Sequence, residues 1–216
     1  MSWIAYLEQN QSRFIDELLE FISIPSVSSS DENFQDVVRA GDWVVSRLKS
    51  AGIDNARIMA TETHPVVYGD WLNAGDESPT VLIYGHFDVQ PADPLELWDN
   101  PPFEPVVKDE KIYGRGATDD KGNMLAPILA VEALLKSGAK LPVNIKFFFE
   151  GQEEIGSPTL APFVKANAEL LRADMIISAD GSQYGEDQPS LIRGLKGLMG
   201  CEICVTGAKG DQHSGM

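Results

Sequence analysis

A chain of 216 residues, 43% hydrophobic and 23% charged, holds enough apolar material for a packed core and falls outside the disordered and fibrous classes. Its formal net charge of −16 argues against nucleic acid and anionic membranes as partners, because both attract basic patches. There is no apolar run near the roughly 18 residues of a membrane span, no secretory pattern in MSWIAYLEQNQSRF, and only two cysteines, so a soluble cytoplasmic protein without a disulfide framework is expected.

In chain order, Ile4, Leu7, Phe14, Ile15, Leu18, Leu19 and Ile22 recur at helical spacing over residues 3–22, and Pro25 closes that segment. A second amphipathic helix is predicted from Phe34 to Leu48, stopping near Gly52. Strand-like runs follow at 57–60, 66–71 and 80–84. Residues 91–110 are rich in proline and acid and read as a long loop with a short strand at Val106, a kind of segment that is usually functional. Residues 122–135 are helical, with Pro127 tolerable only near the first turn or at a kink. VNIKFFF (143–149) reads as a buried strand. Ser157-Pro158 predicts an N-cap with proline in the first helical position, and that helix should end near Leu171. MIISA (175–179) reads as another buried strand. Strands alternating with helices predict an α/β domain with a largely parallel sheet flanked by helices.

After Pro189 the chain becomes glycine-rich and strand-like, and it stops at Met216. A single strand cannot bury its own apolar face, so residues 191–216 are expected to be the start of a second domain and the chain a fragment. Cys201 and Cys204 form a C-x-x-C inside this strand-like run without a second pair, which favours a structural role over zinc or redox chemistry.

Chemistry-bearing residues cluster by position. His86 and Asp88 follow one apolar run, Glu150, Glu153 and Glu154 a second, and Asp180 a third. Asp119 and Asp120 precede the helix at Gly122. In a parallel sheet the carboxyl ends of the strands lie on one edge, where ligands bind. Singly, each of these groups is an ordinary loop feature or helix cap; together they predict one site. Clustered carboxylates repel one another unless a cation compensates, and a mixed histidine and carboxylate set suits zinc or manganese better than calcium. More than three ligands favour two metals sharing a carboxylate. GRGATD (114–119) fails as a dinucleotide fingerprint, because Asp119 replaces the third glycine and would repel a pyrophosphate. There is no G-x-S-x-G elbow and no Walker-type loop.

YGHFDVQP (84–91), GRGATDDKGN (114–123), EGQEEIGSP (150–158), Asp180 and DQHSG (211–215), in that order, resemble the motifs of the dinuclear zinc peptidases of the aminoacylase, glutamate carboxypeptidase and carnosinase family, most of all its dipeptidase branch. The resemblance implies the N-terminal part of a zinc-exopeptidase-like catalytic domain over 1–190 and the first strand of a truncated α+β lid and dimerisation domain over 191–216. It implies hydrolysis of the amide bond of dipeptides or similar small peptides, two divalent ions (zinc, with manganese as an alternative), and a homodimer at full length. On this resemblance His86 and Asp180 bind one ion, Glu154 binds the second, and Asp119 bridges both through a cis Asp119–Asp120 peptide. Asp88 orients His86, Glu153 is the general base, and His213 steadies the reacting carbonyl oxygen, often in a partner subunit. Two departures stand out: Gln212 replaces a common leucine, and the family's further metal-binding histidine has no counterpart among His64, His86 and His213. A non-catalytic metal-binding or interaction protein and an N-acyl amino acid amidohydrolase remain as alternatives. A dimetal phosphohydrolase lacks a basic clamp for phosphate.

Overall fold

A computed structural model of the chain describes residues 1–185, 187–207 and 210. Two compact units result, Met1–Gly181 and Ser182–Met216. The first carries all the regular elements.

Helix α1 (Trp3–Ile22) is capped by Ser2, whose hydroxyl accepts from the Ala5 N–H at 3.2 Å. Helix α2 (Phe34–Ala51) buries Val37, Ala40, Val44, Leu48 and Ala51, a stripe at three- and four-residue spacing. It ends at Gly52, whose φ of 93° is the left-handed conformation glycine adopts most readily. Strands β1 (Asp54–Met59), β2 (Val66–Trp71) and β3 (Thr80–His86) follow. A two-stranded ribbon comes next, β4 (Val106–Lys108) pairing antiparallel with β5 (Lys111–Tyr113). The chain continues through α3 (Lys121–Lys136), β6 (Asn144–Glu150), α4 (Leu160–Ala166), α5 (Ala168–Leu171) and β7 (Met175–Ser178).

The main sheet has the order β1-β2-β6-β3-β7. Strands β6, β3 and β7 run parallel, whereas β1–β2 and β2–β6 are antiparallel. The sheet is therefore mixed, with its parallel part confined to the three strands whose ends carry the acidic and histidine residues. Strand β6 is buried along its whole length because its two faces meet different layers. Ile145, Phe147 and Phe149 enter the larger core with Leu48, Met124 and Ile128 from α2 and α3. Phe148 faces a smaller core closed by Leu160, Phe163 and Leu171. Lys146 shares that face, and its ammonium donates at 2.7 Å to the carbonyls of Leu170 and Arg172.

Three expectations are corrected. MIISA is not buried: Met175, Ile176 and Ile177 are exposed, because β7 is the edge strand and pairs with β3 alone. The helix expected from Ser157 to Leu171 begins at Leu160 and breaks at Asn167. Ser157 turns instead with a φ of 50°, and its hydroxyl donates to Glu150 at 3.0 Å rather than capping a helix. The strand expected after Pro189 does not form among the described residues. Leu191, Leu195, Leu198 and Ile203 stand exposed there, as expected of a segment with no ladder partner.

Candidate metal centre

The parallel register sets the site. His86 ends β3 directly opposite Glu150, the last residue of β6. Ser178 at the end of β7 lies opposite Tyr84, and Asp180 follows two residues later. Three carboxyl strand ends thus open on one edge, as parallel strands require. Asp119 and Asp120 arrive from the turn before α3, joined by a cis peptide.

His86 is fully buried at the centre of this edge. Its Nδ1 lies 3.0 Å from the Asp88 carbonyl oxygen and 3.4 Å from Asp88 Oδ1. Its Nε2 faces outward, 3.0 Å from Asp119 Oδ1 and 3.9 Å from both Glu153 Oε2 and Asp180 Oδ2. The Asp120 carboxylate turns inward, where Oδ2 accepts the His86 backbone N–H at 3.1 Å. That approach needs Gly85, since a Cβ there would stand 2.6 Å from Asp120 Oδ2.

Glu153 and Glu154 open a single 3₁₀ turn, Glu153–Ile155, after β6. Their backbone N–H groups donate to Asp88 Oδ1 at 3.2 Å and Asp88 Oδ2 at 3.1 Å. The Glu154 carboxylate accepts from Gln90 Nε2 at 2.7 Å. Glu150 turns into the protein, accepting from the Tyr84 hydroxyl at 2.6 Å and from Ser157. The structure therefore brings His86, Asp119, Asp180 and Glu153 together, keeps Glu154 on the adjoining turn, and seats Asp88 behind them. His213 lies outside the described residues. His64 is buried, with its Nε2 2.9 Å from the Ser28 carbonyl and its ring against Phe34.

Sequence reasoning missed Gln90, Tyr84 and Ser157, which hold the acidic turn in place. Gln90 and Ser157 are neutral loop residues, and Tyr84 reads as one more strand aromatic. Only contiguity with the motifs YGHFDVQP and EGQEEIGSP could have flagged them.

The electrostatics report a shortage of positive charge. Burial by itself lowers the pKa of His86, but Asp88, Asp120 and Glu153 outweigh it and raise the imidazole to about 10. Asp120 is raised to about 7, first by burial and then by Asp180 and Asp119, against the His86 contacts that lower it. Burial is also the leading cause of the raised values at Glu153 and Glu154, with neighbouring carboxylates adding to it. The basic neighbours are committed elsewhere. The Lys121 ammonium donates to the carbonyls of Phe21 and Ile24, and Arg115 binds the Pro91 carbonyl. One imidazole nitrogen and one carboxylate oxygen from each of Asp119 and Asp180 lie within 4.8 Å of one another. That nitrogen and oxygen set, short of cations and mutually repulsive, fits a divalent metal ion.

Residues 82–196 match the model of peptidase family M20/M25/M40. The Cys-Gly metallodipeptidase dug1 of Schizosaccharomyces pombe is 36% identical, the alignment covering 97% of this chain and 46% of the yeast protein. The Beta-Ala-His dipeptidase of Homo sapiens is 33% identical over 97% of this chain and 44% of its own length. Among solved structures, the dipeptidase Dug1p of Saccharomyces cerevisiae superposes with a TM-score of 0.77 at 30% identity, covering 85% of this chain and 41% of that one. Human carnosine dipeptidase 1 gives 0.75 at 33% identity, covering 83% and 40%. The chain spans about half the length of the curated relatives it matches. No helix among the described residues is long and apolar enough to cross a membrane.

Proposed function

The chain belongs to peptidase family M20/M25/M40, and from that membership we propose that it carries the metal-binding and general-base residues of a hydrolase cleaving the amide bond of dipeptides or similar small peptides. One observation carries the reading: the outward nitrogen of His86 faces Asp119, Asp180 and Glu153 at 3.0 to 3.9 Å. Relatives named for Cys-Gly and Beta-Ala-His hydrolysis support a dipeptide as the substrate class.

In this reading His86 and Asp180 would hold one divalent ion and Glu154 a second, with Asp119 available to both; zinc is the first choice and manganese the second. Ions held there would supply Lewis-acid polarisation of the substrate carbonyl and a water pKa lowered toward about 7. Glu153 remains free to move protons. Its carboxylate accepts one from the attacking water at Oε2 and returns it to the leaving amine. The pKa of Glu153 is raised above the usual carboxylate range, first by burial and then by neighbouring carboxylates, a direction that favours its accepting a proton. Asp88 faces Nδ1 of His86 and so favours the ring orientation that leaves Nε2 for the metal. His213 is proposed to donate to the carbonyl oxygen as it gains charge, a contribution of about 3 kcal/mol for one such donor. A cytoplasmic homodimer at full length completes the proposal. The free thiols of Cys201 and Cys204 are consistent with a reducing compartment.

The test is Glu153→Gln in the full-length enzyme, assayed on a dipeptide with metal content measured alongside. Turnover is expected to fall by about 10²- to 10⁴-fold with metal content unchanged. Near-normal hydrolysis by this variant overturns the reading.

A further inference from the structure

The Asp88 carboxylate is completely buried, and its strongest contacts are not with the histidine it faces. His86 Nδ1 sits closer to the Asp88 main-chain oxygen, at 3.0 Å, than to Oδ1, at 3.4 Å. Any residue at position 88 supplies that main-chain acceptor. What only a carboxylate supplies is a pair of acceptor oxygens side by side, and here each takes one of two successive backbone N–H groups, from Glu153 and Glu154.

Those two N–H groups need an outside acceptor. They open a one-turn 3₁₀ helix and have no partner within it. Gln152, which precedes the turn, offers no side-chain cap, because its carbonyl is occupied by Thr63 and Thr159. The peptide that carries Asp88 is itself fixed, since the Phe87 N–H donates to the Glu150 carbonyl at 2.9 Å and the Val89 N–H to the Ser26 carbonyl at 3.0 Å. Asp88 is therefore a rigid post between the loop after β3 and the turn after β6.

We propose that the Asp88 carboxylate is the positioning residue of the Glu153–Glu154 turn, so that one side chain sets where the general base stands relative to His86. The inference rests on the reading of Glu153 as that base. It predicts that Asp88 cannot be replaced by its neutral isostere, because an amide offers one acceptor and turns an N–H₂ group against the second backbone N–H.

Asp88→Asn in the metal-free 216-residue chain tests this by residue-resolved amide hydrogen exchange. Exchange at Glu153 and Glu154 is expected to speed up about tenfold or more, as loss of a charge-assisted hydrogen bond implies, while Val81 to Ile83 in β3 keep their rates. In the full-length enzyme the same substitution lowers kcat about 10²-fold with KM within about twofold, the pattern of a displaced base rather than a lost substrate contact. Unchanged exchange at both glutamates overturns the inference, as does an increase shared by all of β3 and β6. If the variant does not fold, the unsubstituted chain gives the answer through the hydrogen-bond scalar coupling between these two amide nitrogens and the Asp88 carboxyl carbon. Coupling supports the inference and its absence overturns it. Failure of the general-base reading would appear separately, as turnover retained by Glu153→Gln, and would leave the exchange result standing.

Discussion

Two clusters of charge, built from similar residues, are treated in opposite ways by this fold. Between α1, α2 and α3, Glu17 and Glu132 meet two guanidinium groups. Arg13 pairs with Glu17 at 2.5 Å and with Glu132 at 2.6 Å, and Arg47 pairs with Glu17 at 2.8 Å and also contacts Glu132, which accepts from the Tyr6 hydroxyl as well. Arg47 and Glu132 are almost fully buried, and each negative charge has a positive partner from the chain itself. At the strand ends, Asp119, Glu153 and Asp180 share one ion-pair partner among the described residues, the imidazole of His86. Where charge is structural the chain provides its own counter-ions. Where it is not, the deficit of positive charge is left for something that binds.

The largest effect that would break this comparison lies in the closed cluster. Arg47→Ala leaves the buried Glu132 and the half-buried Glu17 with Arg13 as their one remaining guanidinium, and loss of one partner from a buried pair costs about 3 to 5 kcal/mol. Urea unfolding of the 216-residue chain measures it. A cost under about 1 kcal/mol would mean that the interhelical cluster behaves as a solvated surface network, and the contrast with the strand ends would disappear.

The next effect sharpens the other half. In the metal-free chain His86 is raised to about 10 by the carboxylates around it, against the lowering effect of burial. Nε2 can accept a metal only after the imidazolium loses a proton, so binding must release that proton at any pH well below 10. The sign follows: zinc affinity rises with pH, by about tenfold per unit for one linked proton between roughly pH 8 and 9, above the Asp120 value and below that of His86, and weakens as pH falls. Titration in a Cys201→Ser, Cys204→Ser background, in buffers of different ionisation enthalpy, reads both the slope and the released proton. A flat profile would mean that His86 is already neutral and that the acidic rim does not act on it.

Much of this arrangement was legible in the sequence, for reasons that differ between elements. Helices α1 and α2 and strand β2 lie where period and punctuation put them, since Pro25 and Gly52 are strong stop signals and apolar spacing is enforced by a single core. Strand β3 extends two residues beyond the predicted Tyr84 and includes His86 itself, because a buried histidine at a strand end does not break a ladder. β7 was legible as a strand but not as an exposed edge. Burial depends on what covers a strand, which the apolar run MIISA cannot state. Ser157-Pro158 carries the signature of a helix start, yet the Ser157 hydroxyl is drawn to Glu150, and this tertiary contact overrides the local preference. Convergence of the acidic groups was legible from strand ends alone. The hydrogen bonds that hold them, donated by Gln90 to Glu154 and by two backbone N–H groups to the Asp88 carboxylate, were not, because neutral side chains and main-chain donors leave no charge pattern to read.

The smallest predicted effect is the most diagnostic. Asp180→Asn keeps the size of the side chain and removes one negative charge from a group that is 40% exposed and close to other carboxylates. The hydrogen bond from the Asn123 side-chain amide to the Gly181 carbonyl, at 2.9 Å, holds its loop and does not involve the substituted group. In the metal-free chain the change should therefore alter unfolding stability by no more than about 0.5 kcal/mol, because relief of repulsion from nearby carboxylates and loss of attraction to the His86 imidazolium oppose each other. Zinc affinity of the same variant should fall tenfold or more, since an amide oxygen is a weaker ligand than a carboxylate. A loss of stability comparable to that of Arg47→Ala would place Asp180 among the structural charges. Unchanged stability with lost affinity is the outcome required of a charge kept for a bound ion, because only then does its value to the protein appear when the ion is present.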